Sequence, residues 1–333
     1  MRTGLHIHYV RRQDIDTNRW DTCVENAANT ILYGYHFYLD HMAAGQWDAL
    51  ILGDYEAIMP LTWRRKYGIR YLYQPPFTQQ TGIFSAKPLS PETIEAFLQT
   101  ARGHFRFAEI FLNYGNDHPS LQPYTNYILS LDAPYDQLAS HYRKDLVNNL
   151  KLAGRSGFHY TRDLDLKTTL EGYRREYAAR TPHVTSADYR HFERLCHYLQ
   201  FREQLILRAV TTTDGQTLAT ALLLRDKQRL YLLQSTTPEA GRKTGANHFL
   251  LDALIREFAG EPLLLDFEGS DLPGVAHFYK NFGGIDQPYY FYRYNRLPFF
   301  VNLFKWIKSY RLSSPFITKR PASSPSSTTG ETC

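Results

Sequence analysis

Cysteine is scarce in this 333-residue chain. Cys23, Cys196 and Cys333 are scattered, odd in number and form no C-x-x-C pair. That excludes a disulfide framework and a zinc knuckle, and a reducing, cytoplasmic setting is the simplest expectation. Long hydrophobic runs are also missing. Nothing approaches the roughly 20 apolar residues of a membrane span, and the opening MRTGLHIHYVRRQDID holds no apolar signal-peptide core. No Walker motif and no G-x-S-x-G elbow occur, so kinase and hydrolase readings have nothing to rest on. His36 and His41 are five apart, and His191 and His197 six apart. Neither spacing makes the i, i+4 pair of a helical zinc site, and no metal is expected.

Aromatics, in contrast, are plentiful: 25 Tyr and 20 Phe. Such numbers suit a polar-walled cleft, and equally suit strand packing. The formal charge of +5 is unevenly spread. Between 287 and 330 stand Arg293, Arg296, Lys305, Lys308, Arg311, Lys319 and Arg320, with no acid. The rest is close to neutral, so general affinity for nucleic acid is not implied. Within that stretch, 297–312 reads LPFFVNLFKWIKSYRL. Phe299, Phe300, Leu303, Phe304 and Ile307 make one apolar face beside Lys305, Lys308 and Arg311. That pattern suits a helix lying on an anionic membrane or one docked on the protein, so a peripheral membrane contact is an expectation. Residues 312–333 are rich in Ser, Pro and Thr and read as a disordered tail.

The periodicities predict α/β organisation in two successive units. In the first, 16–43 is largely helical. A hairpin turns at Gly53-Asp54 between strands 47–52 and 55–63, a loop over 67–80 ends in a strand, and a helix spans 91–103. Strands at 109–113 and 127–131 close it. In 134–157 Leu138, Tyr142, Leu146 and Leu150 recur every four residues, which predicts one linking helix. The second unit has helices near 166–180 and 186–200, and a meander of strands 205–210, 218–224 and 229–235. A loop over 236–245, a helix over 246–259 and a last strand over 289–294 follow.

The most informative stretch is 263–284, LLLDFEGSDLPGVAHFYKNFGG. An apolar run suits a buried strand, which ends in Asp266, Glu268 and Asp271 around Gly269. Pro273 stands where a helix begins. Val275, Phe278, Tyr279 and Phe282 form one helical stripe, and Gly283-Gly284 stops it. This stretch resembles the end of the second acyltransferase domain in FemABX-type proteins, the tandem-GNAT aminoacyltransferases of peptidoglycan bridges. The residues that carry the likeness are Asp266, Phe267, Gly269, Phe278, Lys280, Phe282, Gly283 and Gly284. The linking segment is similar to that family's basic helix through Arg143, Lys144, Lys151 and Arg155.

The resemblance implies an α/β (α+β) fold of two GNAT-like domains in tandem, each a mixed central sheet with flanking helices. The expected boundaries are 1–133, a linking helix 134–157, a C-terminal GNAT domain 158–296, the basic helix 297–311 and the tail 312–333. It implies transfer of an acyl or aminoacyl group to a small-molecule amine in a cleft between the domains. The donor is acyl-CoA, such as acetyl-CoA, or aminoacyl-tRNA acting on cell-wall precursors. Residues 162–204 are too short for the long helical arm that cell-wall bridge enzymes insert there. A fold that has kept its shape as a binding module without chemistry is the rival reading.

Three groups of residues are candidates for that chemistry. At 240–247, AGRKTGAN, two glycines and a basic pair precede a helix start, where backbone N–H groups and the helix dipole favour a phosphate. The family's pyrophosphate pattern puts Arg242, Gly245 and Asn247 at its fixed positions, with Asn247 where Gly or Ala is usual. The expected donor-binding set is Gln234, Gly241, Arg242, Lys243, Gly245, Ala246 and Asn247. The strand-end carboxylates Asp266 and Glu268 could take a proton from an attacking amine. Tyr279 could return one to the leaving group, and Lys280 could steady an oxyanion. Arg143, Lys144 and Asn149 are the expected acceptor contacts.

Overall fold

A computed structural model describes residues 6–269 and 271–297. The basic segment expected over 297–312 and the tail expected over 312–333 lie outside those residues, Leu297 apart. In chain order the first elements are β1 (Ile7–Arg11), α1 (Thr17–Asn26), α2 (His36–Met42), β2 (Trp47–Leu52), β3 (Ala57–Lys66), β4 (Ile69–Tyr73), β5 (Phe84–Ser85), α3 (Pro91–His104) and β6 (Phe107–Leu112). Next come β7 (Gln122–Tyr124), β8 (Tyr127–Ser130), α4 (Tyr135–Ala139), α5 (Lys144–Ala153), β9 (His159–Thr161), α6 (Leu166–Tyr177) and α7 (Ser186–Phe201). The chain then forms β10 (Leu205–Thr211), β11 (Thr217–Arg225), β12 (Arg229–Thr236), α8 (Glu239–Thr244), α9 (Ala246–Phe258), β13 (Leu264–Asp266), α10 (Pro273–Asn281), β14 (Ile285–Asp286) and β15 (Tyr289–Asn295).

Local chemistry explains the punctuation. Asp16 caps α1 through Asn18 N and Arg19 N, and Ser90 with Pro91 starts α3. Thr185 and Asp188 form a reciprocal capping box at the start of α7. The helix expected over 16–43 is two helices. Between them the chain turns so that Trp20 Nε1 donates to the Gly34 carbonyl at 2.8 Å. The linking helix is likewise two, α4 and α5, broken where the Arg143 N–H leaves the helix to bond the Asn281 carbonyl at 3.0 Å. The expected stripe survives the break: Leu138, Tyr142 and Leu146 are buried and Leu150 packs against the same core.

Two mixed sheets result. The first runs β1-β2-β3-β4-β6-β15-β7 with β5 added to β3, and the second runs β14-β8-β13-β12-β11-β10-β9. Boundaries at 133 and 296 place β8 in the first unit and β15 in the second, but the hydrogen bonds place them the other way round. Leu129 of β8 pairs with Leu265, and Tyr292 of β15 pairs with Ile110. Each sheet therefore contains a strand from the other half of the chain. The core is shared too. Trp20, Leu39 and Trp47 of the first half lie in one cluster with Phe192, Leu195, Leu207 and Leu222 of the second. Among the described residues no helix is long and apolar enough to cross a membrane.

The exchange makes a stability prediction. Tyr292 is 3% exposed in the core over α3, and its hydroxyl accepts from Arg102 Nε at 2.6 Å. Tyr292→Ala should cost about 3–5 kcal/mol, the usual range for deleting a buried aromatic. Urea unfolding followed in both sheets should shift as one transition; two separated transitions would show that the halves unfold independently.

Candidate active site

β12 and β13 run parallel, but they pair only from Arg229↔Leu264 to Tyr231↔Asp266. β13 then ends, whereas β12 continues to Thr236. The register of β12 against β11 also slips. Leu222 faces Gln234 and Leu223 faces Leu232, which leaves Leu233 as the extra residue of a bulge. The two strands thus open where three acids leave β13.

Asp266 sits at that point, fully buried. Its Oδ2 accepts from Arg229 Nη1 at 2.6 Å, and its Oδ1 from Asn126 Nδ2 at 3.0 Å and from the Glu268 N–H at 2.9 Å. Arg229 is 4% exposed in its side chain and also donates to Gln287 Oε1 at 3.0 Å. Burial works against its charge, but Asp266 more than offsets this and holds the guanidinium above its ordinary value. Glu268 follows with φ 57°, a left-handed conformation that costs a non-glycine residue about 1–2 kcal/mol. Gly269 continues the turn at φ 36°. A Cβ there would stand 2.3 Å from the Thr125 carbonyl oxygen and 2.6 Å from Asn126 Cα, so only glycine lets these backbones cross.

The turn drives the Glu268 carboxyl into the junction of the two halves, where the Tyr33 hydroxyl donates to its Oε1. Burial, and then the charge of Asp266, push the Glu268 carboxyl well above the carboxylate range, against smaller opposing effects of Tyr33 and Arg229. Burial and then Glu268 raise the Tyr33 phenol in turn. Gln79, from the first half, donates to Asn126 Oδ1 at 3.2 Å, so the strand end is anchored from that side as well.

Glu268 and the bulged Leu233 both line a cavity of about 160 Å³. Its walls come from β4 and the loop after it, from β6 and β15, and from the α6–α7 region. It lies between the two halves, and Phe and Tyr supply eight of its lining residues.

The other candidate residues lie elsewhere. Tyr279 stacks on Phe267 with ring centroids 4.6 Å apart; burial and then Glu268 raise its phenol. Lys280 is exposed on α10 with Nζ 5.4 Å from the Tyr127 ring. Asp271 Oδ1 accepts from the Thr125 N–H at 3.3 Å. Arg143 and Lys144 are exposed, and Asn149 Nδ2 lies 3.4 Å from His248 Nε2. None of these six lines the cavity.

The glycine-rich stretch expected as a loop is the helix α8, with Gly245 at φ 71° between it and α9. The reason is Gly241. A Cβ on it would lie 1.8 Å from the Leu218 carbonyl oxygen, so this glycine admits the close packing of a helix on β11 rather than a flexible loop. Arg242 Nη1 donates to the Thr237 carbonyl at 2.6 Å, and Lys243 pairs with Glu239 at 2.8 Å. Ala246 is buried, and Asn247 Oδ1 accepts from Ser235 Oγ at 3.0 Å. Gln234 is 2% exposed, and neither atom of its carboxamide has a hydrogen-bond partner among the described residues.

Tyr33, Asn126 and Arg229 were not among the sequence candidates. Only Arg229 leaves a signal, as a lone cation opening the apolar strand RLYLLQ, where it needs a buried partner.

With this geometry in view, the likeness to known proteins is informative. Residues 140–281 match the family model described as an acetyltransferase (GNAT) domain. No curated protein matches the chain in sequence. Among solved structures, FemX is similar over 88% of this chain and 98% of its own, at 14% identity and a TM-score of 0.61. The C-terminal domain (DUF2156) of a putative lysylphosphatidylglycerol synthetase from Agrobacterium fabrum covers 88% of this chain and 96% of its own, at 12% identity and a TM-score of 0.50. A conserved protein of unknown function from Bacteroides thetaiotaomicron covers 86% and 98%, at 9% identity and a TM-score of 0.51. At such identities the likeness is one of fold. The chain as a whole has a fold similar to that of FemX, and the GNAT domain match over residues 140–281 spans the opened strand pair.

The raised Glu268 carboxyl has a measurable consequence for stability. A carboxyl whose folded-state value lies above its unfolded value stabilises the fold fully at low pH and progressively less as pH rises through that window. Between the ordinary carboxylate value and the raised one, the slope is about 1.4 kcal/mol per pH unit. Glu268→Gln does not titrate. Its stability relative to the parent should therefore grow at about that slope from pH 5 upward. A pH-independent difference in urea midpoints would show that Glu268 titrates normally.

Proposed function

We propose that this protein is an N-acyltransferase that transfers an acyl or aminoacyl group to an amine, with Glu268 as the proton acceptor. The observation that carries the reading is a single one: a strained, buried carboxyl with a raised proton affinity, placed in the wall of the cavity between the two halves. An amine attacks a carbonyl only as its free base, so the reaction needs a group able to take a proton near neutral pH.

The amine nitrogen adds to the acyl carbon, and the carbonyl π pair moves to oxygen. Glu268, as carboxylate, accepts the proton that nitrogen must lose. Collapse of the tetrahedral adduct re-forms the carbonyl and breaks the bond to the leaving sulfur or oxygen, which takes the proton back from Glu268. Glu268 thus ends as it began. Tyr33 and Asp266 act through it: the phenol orients the carboxyl, and the Asp266 charge raises its basicity. The donor side is assigned to the opening between β12 and β13. Gln234 supports this, because its buried carboxamide offers both a donor and an acceptor that no described residue satisfies. Acyl-CoA is the first donor to test. Aminoacyl-tRNA is the second.

Purified protein supplied with acetyl-CoA or aminoacyl-tRNA and a panel of amines should yield amide products by mass spectrometry. Glu268→Gln should lower kcat by about 10²–10⁴, the usual worth of a positioned acid–base group. The acidic limb of the kcat profile should lie above the ordinary carboxylate range, and Asp266→Asn should move it to lower pH by removing the neighbouring charge. Full turnover by Glu268→Gln, or a limb that ignores Asp266→Asn, would remove Glu268 from this role. The same folded protein giving no product with either donor favours the binding-module reading.

A further inference from the structure

The cavity at Glu268 constrains the acceptor beyond its being an amine, a constraint that rests on the acyl-transfer reading of the site. Its walls are built from rings, among them Tyr71, Tyr73, Phe77, Phe111, Tyr173 and Phe291. Its charges are balanced internally. Arg64 pairs with Asp188 at 2.6 Å while its guanidinium covers the Tyr73 ring, and Glu109 faces Arg293 at 3.2 Å. Burial pushes His183 down, so its imidazole adds no charge at neutral pH. Among the described residues lining it, no positive charge is left over for a phosphate or a carboxylate, and burying such an anion unpaired is costly. The volume, about 160 Å³, is close to that of the apolar cavity of about 150 Å³ known to accept benzene. One ring fits there.

We infer that the acceptor is a primary amine borne on a single ring-sized apolar group, which fills the aromatic cavity while the amine meets Glu268. Ring faces attract an ammonium group, so the walls also favour the amine as it enters in its protonated form. Glu268 then removes a proton inside a site from which the ring has excluded water.

Calorimetry on the full chain tests this with four probes: 2-phenylethylamine, 2-phenylethanol, ethylamine and O-phosphoethanolamine. The ring amine should bind at least about tenfold tighter than ethylamine, the difference made by burying one ring. It should also exceed the ring alcohol, and that margin should vanish in Glu268→Gln. O-Phosphoethanolamine should give no heat. Val184→Trp fills the cavity from the α6–α7 loop and should abolish ring binding in a protein with unchanged circular dichroism. If that variant does not fold, Tyr71→Ala serves, since it removes one wall and should weaken the ring amine but not ethylamine. Equal affinity for ethylamine and the ring amine, preference for the phosphorylated probe, or undiminished binding in a folded Val184→Trp each overturn the inference. Tight binding of 2-phenylethylamine with no acylated product from either donor keeps the inference and overturns the acyl-transfer reading. Acylation of ethylamine as efficient as that of the ring amine does the reverse.

Discussion

The Arg229–Asp266 ion pair is the constraint on which the rest of the site depends. Both side chains are almost wholly out of water, and removing one partner of such a pair typically costs about 3–5 kcal/mol because the other charge is left stranded. The pair spans the short stretch where β12 and β13 still bond, at opposite ends of the same three-residue register. It therefore pins the place where the strands stop pairing and the opening begins. It also sets the charge count. One buried cation faces two buried carboxyls and is already engaged by the first, so the second, Glu268, is favoured in its neutral form. The raised proton affinity of Glu268 thus follows first from its burial and then from that imbalance.

That arrangement is held from the other half of the chain. Asn126, itself held by Gln79, fastens Asp266, and Tyr33 fastens Glu268. The Leu32 N–H bonds the Tyr231 hydroxyl at 2.9 Å, next along β12. The left-handed backbone of Glu268 persists because these bonds and the close crossing of Gly269 over Asn126 over-determine it. The exchange of β8 and β15 serves the same end. A strand from each half in the other's sheet fixes the relative position of the two sheets, and with it a cavity that neither half encloses alone.

Much of this was legible in the sequence, for identifiable reasons. The strand–acid–helix order at 263–284 could be read because an apolar run, a proline and a glycine pair punctuate it, and β13 and α10 fall inside it. The meander β10–β12 and the helix α9 match their patterns within one or two residues. The strand exchange was not legible. Alternation says that 127–131 is a strand, but it does not say which sheet it joins. The α8 region misled because glycine signals both a flexible loop and close packing, and only the Leu218 carbonyl behind Gly241 separates the two. Tyr33 was hidden among 25 tyrosines. Lys280 and Tyr279 share a motif with Glu268, but α10 packs Tyr279 on Phe267 and leaves Lys280 exposed, so neither lines the cavity.

The separation between α10 and the cavity bears on how chemistry could be divided across the sheet. Core packing distinguishes its two faces: Leu230, Leu232 and Leu265 pack with α9, whereas Tyr231, Leu222 and Leu224 pack with α7 and the first half. The cavity and Glu268 belong to the second of these faces. β12 and β13 stop bonding after Tyr231↔Asp266, and the bulge of β12 against β11 falls just beyond that point, at Leu233. Under the proposed acyl transfer, a donor lying along β12 would present its carbonyl at this point while the acceptor occupies the cavity. Each substrate would be bound by its own surface, and they would meet only at Glu268. On that reading, the left-handed turn at Glu268 is what carries its carboxyl from the end of the shorter strand to the wall of the cavity.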